Sequence, residues 1–466
     1  MRPRVLVLGD TLAGLVAAWR LCTADYQVTI LTTTGHSGKT IGSFSSPEKT
    51  QRSDSPQTEN VQPFAIDPST PLVCYGPHQQ TDSLLQELNI SKHGSHWRAV
   101  PFEFKTTSSS PARFPNTPLP APWHTVLGIF NFSALTFRQR WHLINFLEKV
   151  WEGVATLPNA LNLETAESWL TNIGQPPLVQ KSVWNPLCRF LLGTSLDDTP
   201  AGSFAAMLTQ VFFQSRHHGP RISQVPNLST CLVNGLVEQL RKQGATIEDT
   251  PPIAHLQVGP EQVTGVCLFN ESIHTADWYI SALPPPTLSS CLPERLLARY
   301  ASFQQMSQTT FAPTVTFHVE TDLEIRKPRL ILHDGPFSWT LFGPAHFLKS
   351  PTALISCVST NDTTLLTQCD SHIKTCAIET LQDLFANQTF LDSVHPLRHH
   401  VVRQPFGFVP HPLGMKPYPL SNQTPLHNLF LAGCWTDTRA ITEIESAITS
   451  GESCAQAVIT QRAKAN

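Results

Sequence analysis

Apolar residues fall into short unbroken runs at both ends of the chain, and each run stops at a glycine. Residues 5–8, Val-Leu-Val-Leu, are the first run, and Gly9 ends it. A run this short and this apolar predicts a strand buried on both faces, as in a parallel sheet. From 12 to 22 the apolar positions return at helical spacing with Gly14 as the only breaker, and 27–31 predicts the next strand. A glycine at 14 lets a helix lie close on a strand. Towards the other end the pattern recurs. Residues 429–432 predict a buried strand, Gly433 a turn, and a helix follows from about Glu443 past Gly451. Strand, glycine and helix N-terminus in that order present backbone N–H groups to an anion. The two ends together predict one nucleotide-type site.

Between the ends the pattern is mixed. Residues 43–63 are rich in Ser, Gln, Thr, Pro and charge with no apolar period, which predicts a surface excursion. A strand is expected within 64–74 and a short helix over 81–88, before a polar, proline-rich stretch to 122 with aromatic islands at Phe102, Phe104 and Phe114. The uncharged aromatic stretch 123–137 leads into a helix over 137–151. It suits core packing or a membrane interface as a monotopic anchor, and core is the expectation. Helices are predicted at 165–174, 177–192, 204–213 and 228–244, with a bend at Trp184-Asn-Pro. A strand from 246, a hairpin over 254–268 and a strand at 279–283 come next. Alternation at 314–319 and the stretch 329–342 predict an antiparallel floor with Trp339 in the core, followed by a helix within 364–385 and a strand at 400–403.

Composition narrows the function classes. A chain of 466 residues holds two domains or one two-lobed unit, and 41% hydrophobic with 14% charged residues describes a globular chain with a sparsely charged surface. A net charge of −3 leaves no basic footprint for nucleic acid. The 11 cysteines include no Cys-x-x-Cys, against a zinc site or a disulfide framework, and reduced cytoplasmic thiols are expected. The adjacent pairs His217-His218 and His399-His400 are expected in solvated loops rather than on a metal. The basic and apolar start is interrupted by Asp10 and continues as strand and helix, so no signal peptide is expected. No run approaches the ~20 apolar residues of a membrane span, leaving at most peripheral contact. No Ser/His/Asp set and no carboxylate pair stands out as catalytic.

Four further stretches occur in order: Leu119-Pro-Ala-Pro-Trp-His124, Trp184-Asn-Pro-Leu-Cys188, Ala282-Leu-Pro-Pro285, and 429–438 with its Gly433-Cys-Trp-Thr-Asp-Thr438. With the N-terminal unit they resemble the flavin-dependent amine oxidase and phytoene desaturase superfamily. Within it the chain is most similar to the hydroxysqualene dehydroxylase family, the squalene-associated FAD-dependent desaturases, over nearly its whole length. The resemblance implies an α/β fold. A discontinuous Rossmann-like FAD-binding domain (1–75 with 226–288 and 420–466) would adjoin an α+β substrate domain (76–225 with 289–419). It implies FAD contacts at Gly9, Thr11, Gly14, Thr32, Ile253, Gly433, Cys434 and Trp435, and a hydrophobic isoprenoid substrate.

The chain departs from the family's pattern where FAD should sit. The middle glycine of Gly-x-Gly-x-x-Gly is Thr11, the ribose-binding acid is replaced by Thr32, and Gly-Asp has become Gly433-Cys434. A Gly-Gly-Arg reads Gly38-Lys39-Thr40, an Asp-Asn-Gly-Gln-His reads Asp67-Pro-Ser-Thr-Pro71, and a Glu-Gly pair reads Glu445-Ser446. Thr11 puts a β-branched side chain where backbone should meet pyrophosphate, and Asp10 or Thr11 can cap the helix in place of a phosphate. Losing two charge-assisted hydrogen bonds of about 1.5–3 kcal/mol each would weaken a cofactor by roughly two to four decades. Two functions follow. One is an FAD-dependent oxidoreductase on a squalene- or carotenoid-type isoprenoid. The alternative is a non-catalytic, flavin-poor relative that binds a prenyl lipid or partners an active enzyme. Retention of Trp-Thr-Asp-Thr predicts a role for that loop in either case.

Overall fold

The two apolar ends of the chain meet in one parallel sheet. Its five strands lie in the order Leu429–Leu431, Trp278–Ser281, Arg4–Leu8, Gln27–Thr33, Thr246–Thr250, and every neighbouring pair is parallel. The computed structural model describes residues 2–33, 73–74, 78–90, 97–106, 111–114, 119–120, 123–153, 159–213, 219–223, 228–321, 323, 325–343, 353–385, 396–410, 413, 420–436 and 442–465. The predicted segment 34–72, with its surface excursion and two of the departures, lies outside the described residues. So do His217, His218, Asp437 and Thr438.

Burial explains the unbroken apolar runs. Val5, Leu6, Val7 and Leu8 are buried on both faces of the sheet. One face is covered by helices Leu12–Thr23, Leu228–Lys242 and Glu443–Ala465, the other by the hairpin Ile253–Val258/Val263–Leu268 and the helices that follow Pro284. The first and last helices cross closely. A Cβ at Gly451 would come within 2.6 Å of the Ala13 carbonyl oxygen and 2.8 Å of Val16 Cβ, so glycine sets that approach.

A second, seven-stranded sheet runs Pro396–Phe408, Ala312–Thr321, Ala353–Thr360, Trp339–Gly343, Arg329–Leu332, Phe102–Phe104, Ala112–Arg113. It is antiparallel except where Arg329–Leu332 runs parallel to Phe102–Phe104. Trp339 is buried against Phe190 beneath it, as expected of a core residue. The expected helix 177–192 passes Pro186 through a π turn, Gln180–Trp184. That turn absorbs the missing proline N–H without ending the helix.

Two expectations need correction. His399 and His400 lie in the strand Pro396–Phe408, opposite Val319 and His318, and not in a loop. Pairing with Ala312–Thr321 extends that strand well beyond the 400–403 core, and the two exposed imidazoles are simply carried along it. The stretch 123–137 is not plain core. It forms the helix Trp123–Phe130, which buries Thr125, Gly128 and Ile129 and leaves Trp123 and Leu127 outside. Among the described residues no helix is long and apolar enough to cross a membrane.

Candidate functional site

A pocket opens where the carboxyl ends of three parallel strands meet two helix N-termini. Its lining comes from Thr11, Leu12 and Ala13 after the first strand, and Ala282 and Pro284 after Trp278–Ser281. Gly433, Cys434 and Trp435 follow the last strand, Glu443 and Ala447 lie in the first turns of the C-terminal helix, and Phe311 completes the lining. Its empty space, counted to the open mouth, is ≈ 450 Å³. The carboxyl edge of an open parallel sheet is where such folds place ligands.

Gly9 makes the first turn at φ 98°, a conformation that favours glycine, and its N–H donates to Leu31 O at 3.0 Å. Gly14 packs on the neighbouring strand end, where a Cβ would lie 2.7 Å from Ala282 Cβ. The Ala282-Leu-Pro-Pro motif is therefore the surface on which the first helix rests. Thr11 is the N-cap residue, in extended conformation, and its Oγ1 accepts the Gly14 N–H at a long 3.4 Å. The N–H groups of Leu12 and Ala13 have no hydrogen-bond partner among the described residues. They border the pocket and remain available to an anionic group.

The opposite wall is built on Ser450. Its Oγ accepts the Gly433 N–H at 2.9 Å and the Asn422 Nδ2–H at 3.2 Å, and lies 2.7 Å from Thr436 Oγ1. Thr436 in turn donates to the Gly433 carbonyl at 2.9 Å. Trp435 folds back so that its indole covers Gly433, where no side chain would fit. The expected role for the Trp-Thr loop is thus partly structural. Trp435 and Thr436 hold Gly433 and Cys434 at the pocket.

Two ionisable groups share this wall. Burial pushes the Glu443 carboxyl up to about 8, so it is largely neutral at pH 7. Burial first, and Glu443 second, push the Cys434 thiol up to about 12, which makes it an unreactive thiol. Glu443 has no hydrogen-bond or ion-pair partner among the described residues. Glu445, two residues on, has the opposite character. Its carboxylate accepts from Gln80 N (2.9 Å), Thr81 N (2.9 Å) and Thr81 Oγ1 (2.6 Å), satisfying the N-terminus of the helix Gln79–Glu87. The Glu445-Ser446 departure therefore leaves Glu445 fastening one helix to another.

Of the eight expected contact residues, Thr11, Gly433, Cys434 and Trp435 line the pocket, and Gly9 and Gly14 shape its floor. Thr32 and Ile253 are not in the lining. Thr32 Oγ1 donates to Glu248 O at 3.1 Å on the neighbouring strand, and Ile253 is buried with its carbonyl accepting from Cys291 Sγ at 3.8 Å. Sequence reasoning did not name the other lining residues as contacts, among them Leu12, Ala13, Phe311, Glu443 and Ala447. An acid opening a helix reads as ordinary helix chemistry, so nothing in the sequence marks Glu443.

The model of the flavin containing amine oxidoreductases matches residues 12–459. The chain belongs to this family. Relatives of this flavin amine oxidoreductase include the 15-cis-phytoene desaturase of an Oncidium hybrid cultivar, 23% identical over 402 residues, covering 83% of this chain and 68% of that protein. The probable zeta-carotene desaturase of Synechococcus elongatus is also 23% identical, over 99% of both chains. Among solved structures, putrescine oxidase bound to putrescine superimposes with a TM-score of 0.70 at 12% identity over 99% of each chain. An oxidoreductase from Methanosarcina mazei gives 0.70 at 14% identity, over 97% of this chain and 100% of that one. At these identities the solved structures establish the fold, and the family implies a flavin cofactor.

The pocket fits such a group. Free helix N–H groups, two glycine-set close approaches and an apolar wall suit a ring system joined to phosphate. Glu443 fits it as a neutral acid and opposes it as a carboxylate.

Proposed function

We propose that the protein is an FAD-dependent oxidoreductase that desaturates or dehydroxylates a long polyene isoprenoid of the carotenoid or squalene class. The observation that carries this reading is the pocket at the sheet's carboxyl edge, bordered by two unpaired helix N–H groups and lined by the apolar side chains of Phe311, Trp435, Pro284 and Ala447. The phytoene and zeta-carotene desaturases among its relatives support the substrate class. A hydrocarbon substrate also agrees with a site that offers few polar groups.

A bound flavin would supply two-electron hydride chemistry, as acceptor in its oxidised form for a desaturation or as donor in its reduced form for a dehydroxylation, which also takes up a proton and releases water. The chain's part is binding, orientation and exclusion of water. Leu12 and Ala13 N–H, framed by Gly9 and Gly14, would hold phosphate, while Gly433, Cys434 and Trp435 would bear on the ring. Phe311 and Trp435 keep the wall dry. Glu443 holds a proton on its carboxyl up to about pH 8 and can donate a hydrogen bond into the pocket.

One observation favours the second reading, a flavin-poor relative. Where a cofactor would be gripped, the wall carries Cys434 and an acid that turns repulsive once ionised. An absorption spectrum of the fresh protein, followed by FAD titration and then assays on phytoene, zeta-carotene and hydroxysqualene, separates the two. A flavin band with turnover of a polyene supports the enzyme. A colourless protein indifferent to excess FAD overturns it.

A further inference from the structure

The helices Trp123–Phe130 and Phe137–Gly153 pack against each other as a hairpin on the lobe of the seven-stranded sheet. Their inner faces are buried at Thr125, Gly128, Ile129 and Leu143. Their outer faces are aromatic. Trp123 is 62% exposed and Leu127, four residues on, 40%; Phe137 is 71% exposed and Trp141, four residues on, 52%. Isolated exposed apolar residues are ordinary, but two i, i+4 pairs on adjoining helices, three of the four residues aromatic, form a patch.

Two other features give the patch a direction. The hairpin is pre-shaped. Arg140 turns inward, donating from Nε to Leu135 O at 2.8 Å and from Nη1 to Phe130 O at 2.6 Å, which ties the second helix to the end of the first. The local charge is one-sided. From Trp123 to Leu147 the chain contains no Asp or Glu, while Arg138 stands on the exposed face and Arg140 is turned inward. Arg138 and His142 are exposed beside Phe137 and Trp141. Aromatic rings with Arg138 and His142 beside them, and no acid on the helix before Glu148 two turns past Trp141, match the headgroup region of an anionic bilayer, where Trp is favoured and each nearby cation is attracted. A partner protein surface would not require the acids to be absent over so long a stretch.

We infer that this hairpin docks on an anionic lipid surface, with Trp123, Leu127, Phe137 and Trp141 in the headgroup–acyl boundary and Arg138 at the phosphates. The inference goes beyond the oxidoreductase reading and stands without it, because vesicle binding requires neither flavin nor turnover. The test is co-sedimentation of the full chain with vesicles of phosphatidylcholine alone and with added phosphatidylglycerol. The native protein is expected to sediment with the anionic vesicles. The triple variant Trp123→Ser, Phe137→Ser, Trp141→Ser should bind at least about tenfold more weakly with an unchanged melting curve. Arg138→Glu alone should remove most of the preference for anionic lipid, and it serves if the triple variant fails to fold. A native protein that ignores both vesicle types overturns the inference. So does binding equal in native and variant proteins, or a lipid-free dimer that the triple variant abolishes.

Discussion

The Ser450 hydroxyl accepts the Gly433 N–H at 2.9 Å, joining the pocket loop to a point two turns inside the C-terminal helix. The same hydroxyl contacts Thr436 and Asn422, so one buried side chain holds the turn, the loop and the helix together. Ser450→Ala leaves the buried Gly433 N–H without a partner. The expected cost is about 1–3 kcal/mol of stability, measured by denaturant unfolding. Because the loop carries Cys434 and Trp435, the flavin retained after purification should fall as well. Native-like stability in Ser450→Ala would show that the loop is held by packing alone.

Glu443 makes stability depend on pH in an unusual direction. Its folded carboxyl is raised from 4.5 to about 8, so the folded state holds a proton that the unfolded state has released across that window. Stability from this residue is therefore present below about 4.5, declines as pH rises to about 8, and is level above. The full span is about 5 kcal/mol at ~1.4 kcal/mol per pKa unit, and partial access to the pocket mouth reduces it to ~2 kcal/mol. Glu443→Gln should remove the decline, so its melting temperature should exceed the native value most at pH 9 and match it near pH 4. Parallel melting curves for the two proteins across pH 4–9 would refute the neutral-acid assignment.

Cys434 and Glu443 line the same pocket, and Glu443 adds to the burial that pushes the Cys434 thiol up. Replacing Cys434 by Asp supplies the carboxylate acceptor found in the resembled family's pattern, but places it beside a second acid. Cys434→Asp alone should give little or no gain in FAD affinity. The double variant Cys434→Asp, Glu443→Gln should bind about 10–100-fold more tightly than the single, the range of one charge-assisted hydrogen bond of about 1.5–3 kcal/mol. Fluorescence titration with FAD measures both. Equal affinities would mean that the two positions do not meet the same part of the ligand.

The sheet and its two helices are legible in the sequence because the code there is local. Residues 5–8 are apolar throughout, Gly9 is required by its backbone angle, and Gly14 and Gly451 mark close approaches between elements. The pocket's chemistry is less legible because it arises from burial between distant segments. Glu443 and Glu445 are both first-turn acids of one helix, which favours acids there whatever they face. Only the packing makes one a neutral pocket residue and the other a cap for Gln79–Glu87. The 123–137 stretch is ambiguous for the same reason. Uncharged aromatic sequence suits a core and a lipid interface equally, and its i, i+4 spacing marks a face without saying what covers it.

Thr11 tests whether the N-terminal departure weakens the site or merely alters its cap. Its backbone is at φ −64°, ψ 159°, which any residue adopts, so the turn at this position does not require glycine. What Thr11 adds is a side chain lining the pocket, whose hydroxyl makes only a 3.4 Å bond to Gly14 N. Exchanging a threonine cap for glycine costs a few tenths of a kcal/mol. Thr11→Gly should therefore melt within about 2 °C of the native protein, since ~1 kcal/mol shifts a chain of this size by only a few degrees. The helix N-terminus is then freed for phosphate, and FAD affinity should rise roughly 3- to 10-fold, equivalent to about one hydrogen bond. Inorganic pyrophosphate should compete more strongly in the variant than in the native protein, which locates the gain at the phosphates rather than at the ring. Unchanged affinity would place the phosphates away from the Leu12 and Ala13 N–H groups and would remove the N-terminal helix from the site.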